Sequence, residues 1–293
     1  MVLVNVEDWL IHQEGVLRLG FFIGALLVLG VWENIVPWRQ SRMTRKVRWL
    51  NHLLLVSFST FLIRVLFSVL TLAVAVKAGQ QNLGLWRDLP LPFFIQIILG
   101  VLSLDLVIYA QHRMFHRVPL LWRIHRVHHV DQELDVTTGV RFHPLELIIS
   151  MGIKLMAIVF FGVPVLAVFI FEVLLNFCSL FTHTNIRLSP KVDKVLRTVV
   201  VTPPMHRVHH SDIPMETQSN FGFCFSFWDK LLSTYHRVSL MGERNLIIGL
   251  EDFQTYKYQK FWAMLWFPFE GKKVIMPGQR KPVLKKVALK SQI

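Results

Sequence analysis

Apolar residues in this chain gather into long runs instead of recurring at a helical or alternating spacing. About 20 helical residues cross a bilayer. On that measure Leu17 to Trp38 predicts a first span, Leu53 to Val76 a second interrupted by Arg64, and Phe93 to Tyr109 a third. The next run, Leu145 to Phe181, is too long for one span and breaks at Gly162-Val163-Pro164. Each half has about 17 residues, or ~26 Å of helix, which predicts a helical hairpin that enters and leaves on one side. From Leu188 the pattern is mixed. Thr202 ahead of Pro203 predicts a capped helix start. FWAMLWFPFEGKK near the end reads as an interfacial aromatic segment, not a span.

Composition strengthens the membrane reading. With 53% hydrophobic and 17% charged residues, the chain is too apolar for an ordinary soluble domain. The net charge of +13 alone would suit nucleic acid, but its placement argues against that partner. Basic residues flank apolar segments, as in RQSRMTRKVR (Arg39 to Arg48), and crowd the tail after Lys272. Membrane orientation and anionic headgroups account for that pattern. The positive-inside rule makes the Arg39–Arg48 loop cytoplasmic and the N-terminus external. The third span then exits into the cytoplasm at His112, and the hairpin returns His183 to the same face. Glu7, Asp8 and Glu14 precede the first run, where a signal peptide would carry basic residues, so that run is expected to be a permanent span. Cys178 and Cys224 make no disulfide framework.

The expected architecture is an all-α integral membrane protein with about four membrane helices or equivalents, three spans plus the hairpin, beneath a cytoplasmic helical cap. Residues 1–92 would form the N-terminal spans, 93–240 the catalytic domain, and 241–293 an interfacial segment with a basic tail.

The candidate chemistry lies in the histidines. Of thirteen, eight fall within 112–129 and 206–210, too concentrated for chance. His112 and His116 are four apart, on one helical face. His125, His128 and His129 share a face, and His206, His209 and His210 repeat their spacing. Neutral imidazoles have little reason to gather unless something shares their lone pairs, and protonated ones repel. A metal centre is the expectation. His12, His52 and His236 stand apart and read as structural.

Two stripes extend the constellation. Asp105, Tyr109, His112 and His116 follow one face of the third span, and Glu172, Asn176, Ser179 and His183 one face of the hairpin's return arm. His183 is thereby the ninth candidate ligand. Asp105 suits an acceptor that orients a ligand histidine, with a structural pairing to Arg64 as the plain alternative. Glu172 and Asn176 suit the same supporting role or a polar pocket. In VRFHPLE, His143 and Glu146 are candidates for a further ligand, an orienting group or a helix start.

Nine nitrogens exceed the needs of one ion, so two metals with four or five ligands each is the natural count. Imidazole suits iron, zinc, copper and nickel. The chain has no H-E-x-x-H or H-x-x-E-H, against a metalloprotease, and the histidines sit at the span ends, against a transporter.

The series H-x-x-x-H, H-x-x-H-H, H-T-N and a second H-x-x-H-H resembles the fatty acid hydroxylase/sterol desaturase superfamily of membrane di-iron enzymes. So do the R-x-H-P-x-E box at Arg141 to Glu146, the N-x-G element at Asn220 to Gly222 and the FWDKLLST run from Phe227 to Thr234. The resemblance covers roughly residues 95 to 240. It implies two iron ions, O2 as oxidant, and hydroxylation or desaturation of a lipid C–H bond, the lipid being a sterol, fatty acyl, sphingoid or ether lipid. The implied ligands are His112, His116, His125, His128, His129, His183, His206, His209 and His210. Some members carry a tenth histidine where this chain has Ser179, so one metal is expected to use water, His143 or a carboxylate there. No fused haem or flavin domain is expected, which implies a separate electron donor. Arg113, Arg117, Arg123 and Arg126 could dock that donor or bind phospholipid heads, or simply anchor the interface. The membrane is a bacterial inner membrane or the endoplasmic reticulum. The competing reading is a non-redox zinc protein, hydrolytic or structural, and zinc is also an expected substitute in an iron site.

Overall fold

The structure is a computed structural model describing residues 2–66, 71–87 and 89–271, with side chains from residue 7 onward. Part of the predicted second span and the basic tail from Lys272 lie outside the described residues. Among these residues no β-strand forms. Helix α1 covers Val2–Ile35, α2 Arg45–Leu66, α3 Thr71–Gln80, α4 Phe93–Arg117, α5 Pro119–His129, α6 Pro144–Phe161 and α7 Val165–His183. Shorter helices follow, among them α8, Pro190–Leu196, and α9, Pro203–His209. Among the described residues five helical stretches are long and apolar enough to cross a membrane: Glu7–Ile35, Arg45–Gln80, Phe93–Arg117, Pro144–Phe161 and Val165–His183.

Helix ends differ from the sequence expectation where polar residues continue a helix unbroken. α1 starts well before Leu17 and stops short of Pro37. α4 runs on past Tyr109 to Arg117, because nothing between Ala110 and Arg117 breaks a helix. Pro119 then holds Val118 extended (ψ 119°) and starts α5 at its first position. The hairpin turns at the expected place. Gly162, at φ 65°, ends α6 in the left-handed conformation, and Pro164 precedes α7.

The helix ends sort into two groups. At the hairpin turn, the loop after α3 covers the carbonyls left open by α6: Leu85 and Trp86 N–H donate to Phe160 and Phe161 O at 3.0 Å. At the opposite end, Trp38 N–H donates to Asn185 O (2.7 Å), joining the exit of α1 to that of α7. The buried Glu33 carboxylate accepts from the Val136 and Asn185 amides there (3.0 and 3.1 Å). This second end also gathers the start of α2, the exit of α4 and the start of α6, where Arg48 meets Asp131 and His125 meets Glu146. An apolar core of Leu72, Val101, Leu104, Val163, Ala167 and Phe171 fills the space between α3, α4, α6 and α7. Residues 253–267 seat Phe253, Tyr258, Met264 and Phe267 against Leu55 of α2 and Val127 of α5. The 261–269 segment is two short helical turns with Trp262, Trp266 and Phe269 exposed, in keeping with an interfacial role.

Candidate metal centre

The nine histidines of the sequence pattern converge and are buried. They form two groups: His112, His116, His125, His129 and His209 in one, His128, His183, His206 and His210 in the other, with one ring nitrogen per residue all within 4.8 Å of each other in each group. The groups abut. His129 and His210, one from each, stack at 4.4 Å between centroids.

Four rings are oriented through Nδ1. His125 donates to the Glu146 carboxylate (2.7 Å), His112 to Phe221 O (2.9 Å), His209 to Ser219 O (2.6 Å) and His183 to Ser179 O (2.6 Å). Each bond places the proton on Nδ1 and leaves the Nε2 lone pair facing inward. In the group of five, Nε2 of His112, His125, His129 and His209, and both nitrogens of His116, are buried without a hydrogen-bond partner. A single such orphan costs about 1–3 kcal/mol, so six together on five rings mark a place built for a shared partner.

The group of four makes the same case by distance. His183 Nε2 lies 3.0 Å from Nε2 of both His128 and His206 and 3.2 Å from that of His210, which is itself 3.2 Å from His206 Nε2. Nitrogens tetrahedrally bound to one metal at about 2.0–2.1 Å stand about 3.3 Å apart. The spacing fits a cation held by four imidazoles. Protonation is no alternative: burial, then the neighbouring imidazoles, hold His128, His129, His206 and His210 well below the usual histidine range, and burial holds His209 down to about 3. Both groups therefore fit metal ions.

The group containing His183 is the one beside Ser179. The Ser179 hydroxyl donates to Gly139 O (2.5 Å), and a Cβ on Gly139 would stand 2.4 Å from Ser179 O. The 3-10 turn Val136–Val140 presses against α7 here, which leaves position 179 to a small residue. His143 is no substitute. Its Nδ1 accepts from Leu145 N–H as the cap of α6, and its Nε2 donates to Leu265 O (3.2 Å each).

Other expectations are corrected. Both Asp105 oxygens are engaged by the Cys224 and Phe225 amides (3.3 and 3.2 Å) and Trp228 Nε1 (2.9 Å), not by a histidine or by Arg64. Tyr109 meets the Thr234 hydroxyl at 2.7 Å. Glu172 pairs with Lys154 (2.5 Å) and Arg18 (2.9 Å), joining α7 to α6 and α1 at a distance from the rings, and Asn176 is half-buried one turn on. Thr202 stands before α9 but bonds Asp193 (2.6 Å) without capping. Arg126 is buried, donating to Phe267 O (2.8 Å) with its guanidinium 4.4 Å from that ring. Arg113 and Arg123 are half-buried and Arg117 exposed.

The sequence boxes act as scaffolding. Asp229 of the FWDKLLST run accepts from the Phe221 and Gly222 amides (2.8 Å each) and from Thr234 (2.7 Å). Asn220 donates to Met205 O and His236 O. These bonds fix the loop that presents Ser219 O and Phe221 O to His209 and His112. Arg141 of the R-x-H-P-x-E box donates to Val127 O (2.9 Å), His52 Nε2 (3.0 Å) and Tyr258 O (2.7 Å), binding α5, α2 and the C-terminal segment. Beneath α5, Arg48 grips Asp131 through two nitrogens and Asp135 through Nε (3.0 Å). Burial alone would raise the Asp131 pKa, but Arg48 and Arg141 overcome it and hold the carboxyl well below the usual range. Sequence reading missed Arg48, Asp131, Asp135 and Asp229.

Residues 97–234 match the Fatty acid hydroxylase family model. The match covers just under half of the chain, which thus carries a segment similar to fatty acid hydroxylase domains. The matched segment contains both histidine groups. Among relatives, the ornithine lipid hydroxylase OlsE of Rhizobium tropici is 26% identical over 90% of this chain and 79% of its own length. Alkylglycerol monooxygenases of Homo sapiens and Xenopus tropicalis are 27% and 31% identical over 56% of this chain, which spans only 37% and 38% of their lengths. No solved structure matches the chain significantly.

Proposed function

We propose that this chain is a membrane-embedded di-iron oxidoreductase that uses O2 and externally supplied electrons to hydroxylate an unactivated C–H bond of a membrane lipid. The observation that carries the reading is the partition of nine buried histidines into groups of five and four, the first with Nε2 atoms that have no hydrogen-bond partner and the second with Nε2 atoms 3.0–3.2 Å apart. His112, His116, His125, His129 and His209 would hold one iron, and His128, His183, His206 and His210 the other. Bound there, the pair of irons would supply the redox chemistry for O2 activation. The overall change consumes one O2, two electrons and two protons for each C–H converted to C–OH, and releases one water.

The chain's own contribution is orientation and dryness. Glu146, Ser179 O, Ser219 O and Phe221 O keep four imidazoles in one tautomer. Phe142 stacks on His128 at 4.5 Å, Trp122 lies 4.9 Å from His116, and Phe221 and Phe223 flank His112. These rings keep water from the inward nitrogens. The apolar helices beneath suit delivery of a lipid from the bilayer. Hydroxylation is favoured over desaturation because the relatives are named hydroxylase and monooxygenase. A lipid with a polar head is favoured as substrate because OlsE, which matches most of this chain, is named for ornithine lipid.

By the positive-inside rule the metal end faces the cytoplasm, since Arg39, Arg42, Arg45 and Lys46 lie there. Electrons would come from a separate protein, with Arg113, Arg117 and Arg123 as its basic contacts. Residues 93–240 form the catalytic unit. Comparison of lipid extracts from cells with and without the gene tests the reaction. A lipid heavier by one oxygen is expected. A lipid lighter by two hydrogens would make the enzyme a desaturase, and unchanged lipids would overturn the proposal.

A further inference from the structure

Outside the histidine site a cavity of about 500 Å³ lies between the α1–α2 connection (Trp38 to Arg45), the loop Gln132–Asp135 after α5, and residues 244–248. Its walls are strongly cationic. Arg39, Arg42, Arg45 and Arg244 line it, against Glu133 and Asp135. Both carboxylates are already engaged: Asp135 by Arg48, Glu133 by the Ser41 hydroxyl and the Arg42 amide. Arg45 is matched by Glu33 at 3.6 Å. Among the described residues neither the Arg42 nor the Arg244 guanidinium has an ion pair, and both are exposed.

Arg39 shows that the cations are held together. Its guanidinium lies 4.0 Å over the Trp38 ring and donates to Glu243 O (3.2 Å) and Arg244 O (3.0 Å), which fixes residues 243–244 beside it. Burial and the like charge of Arg42 push its pKa down. Guanidinium groups placed together without a matching carboxylate are what a phosphate would satisfy by two-pronged hydrogen bonds.

The setting says which phosphate. The cavity lies at the connection between α1 and α2, and Ile35, Val36, Val47 and Leu50 at that end of the two helices are apolar and exposed. A headgroup in the cavity would have its acyl chains along that flank. We propose that this cavity binds the phosphate of an anionic membrane phospholipid, with Arg42 and Arg244 as its principal contacts and Arg39 behind them. This site is separate from the histidines, and the proposal holds whatever metal they bind. Gln132–Asp135 begins three residues after His129, so a lipid seated here braces the loop that closes α5.

The test uses the purified full-length protein in a non-ionic detergent, titrated calorimetrically with three water-soluble probes. These are dihexanoyl phosphatidylglycerol, dihexanoyl phosphatidylcholine and inorganic phosphate. Phosphatidylglycerol is expected to bind at least about tenfold more tightly than either other probe, and R42Q/R244Q to weaken it by about tenfold or more. Equal binding of the two lipids, or an unaltered R42Q/R244Q, overturns the site. Inorganic phosphate binding as tightly as phosphatidylglycerol overturns its assignment to a lipid. Should the double variant lose its thermal transition, the single variants R42Q and R244Q carry the comparison, each expected to weaken phosphatidylglycerol at least threefold. An unchanged affinity in both overturns the site.

Discussion

At the scale of single residues, the centre depends on which nitrogen of each ring carries the proton. Glu146 sets this for His125, and losing such an outer partner typically costs 10–100-fold in metal affinity or activity, about the range expected for Glu146→Ala. Glu146→Gln keeps an oxygen acceptor for Nδ1–H and should lose much less. Chelator competition on the two purified variants measures the difference, and equal loss would show that Glu146 acts by charge alone. Arg48→Met should be costly in another way. It leaves Asp131 buried without its two-pronged partner, a loss of about 3–5 kcal/mol, read as a lowered thermal midpoint. The ligand faces were legible in the sequence because spacings of three and four residues report a helical face directly. Asp105 was misread by the same logic. It shares a stripe with His112 but lies seven residues, about 10 Å, further along the helix, where residues 224–228 take its carboxylate. Arg48 was invisible because its partner Asp131 is 83 positions away.

Among the elements, the hairpin and the four ligand-bearing segments follow from Pro119, Pro164, Pro203 and Gly162, residues whose backbone preferences act locally. What sequence could not give is how the connections close against one another. Gly84 is the clearest case: at φ 116° its Cβ position falls 2.0 Å from Gly162 N. Gly84→Ala should therefore part the loop after α3 from the hairpin turn and destabilise the protein by more than about 2 kcal/mol. Denaturation in detergent checks this, and a wild-type midpoint would show that the two loops are not packed as described. The role of the N-x-G and FWDKLLST boxes was also hidden. Their side chains bond to backbone amides and carbonyls, which leave no trace in residue type.

Across the whole molecule, the histidine groups join α4, α5, α7 and α9, so bound metal should hold α5 and α9 to α4 and α7. Stripping the metals is expected to lower the thermal midpoint, since a ligand bound only by the folded state stabilises it; an unchanged midpoint would mean that these helices are held by their own packing. The central claim is that both groups hold iron and that the iron oxidises lipid with O2. Metal analysis of anaerobically purified, iron-replete protein, followed by turnover of its lipid with labelled O2 and a reductant, tests this most directly. The account predicts about two irons per chain and one labelled oxygen in the product. Two redox-inert zinc ions, with no O2 consumed under reduction, would contradict it.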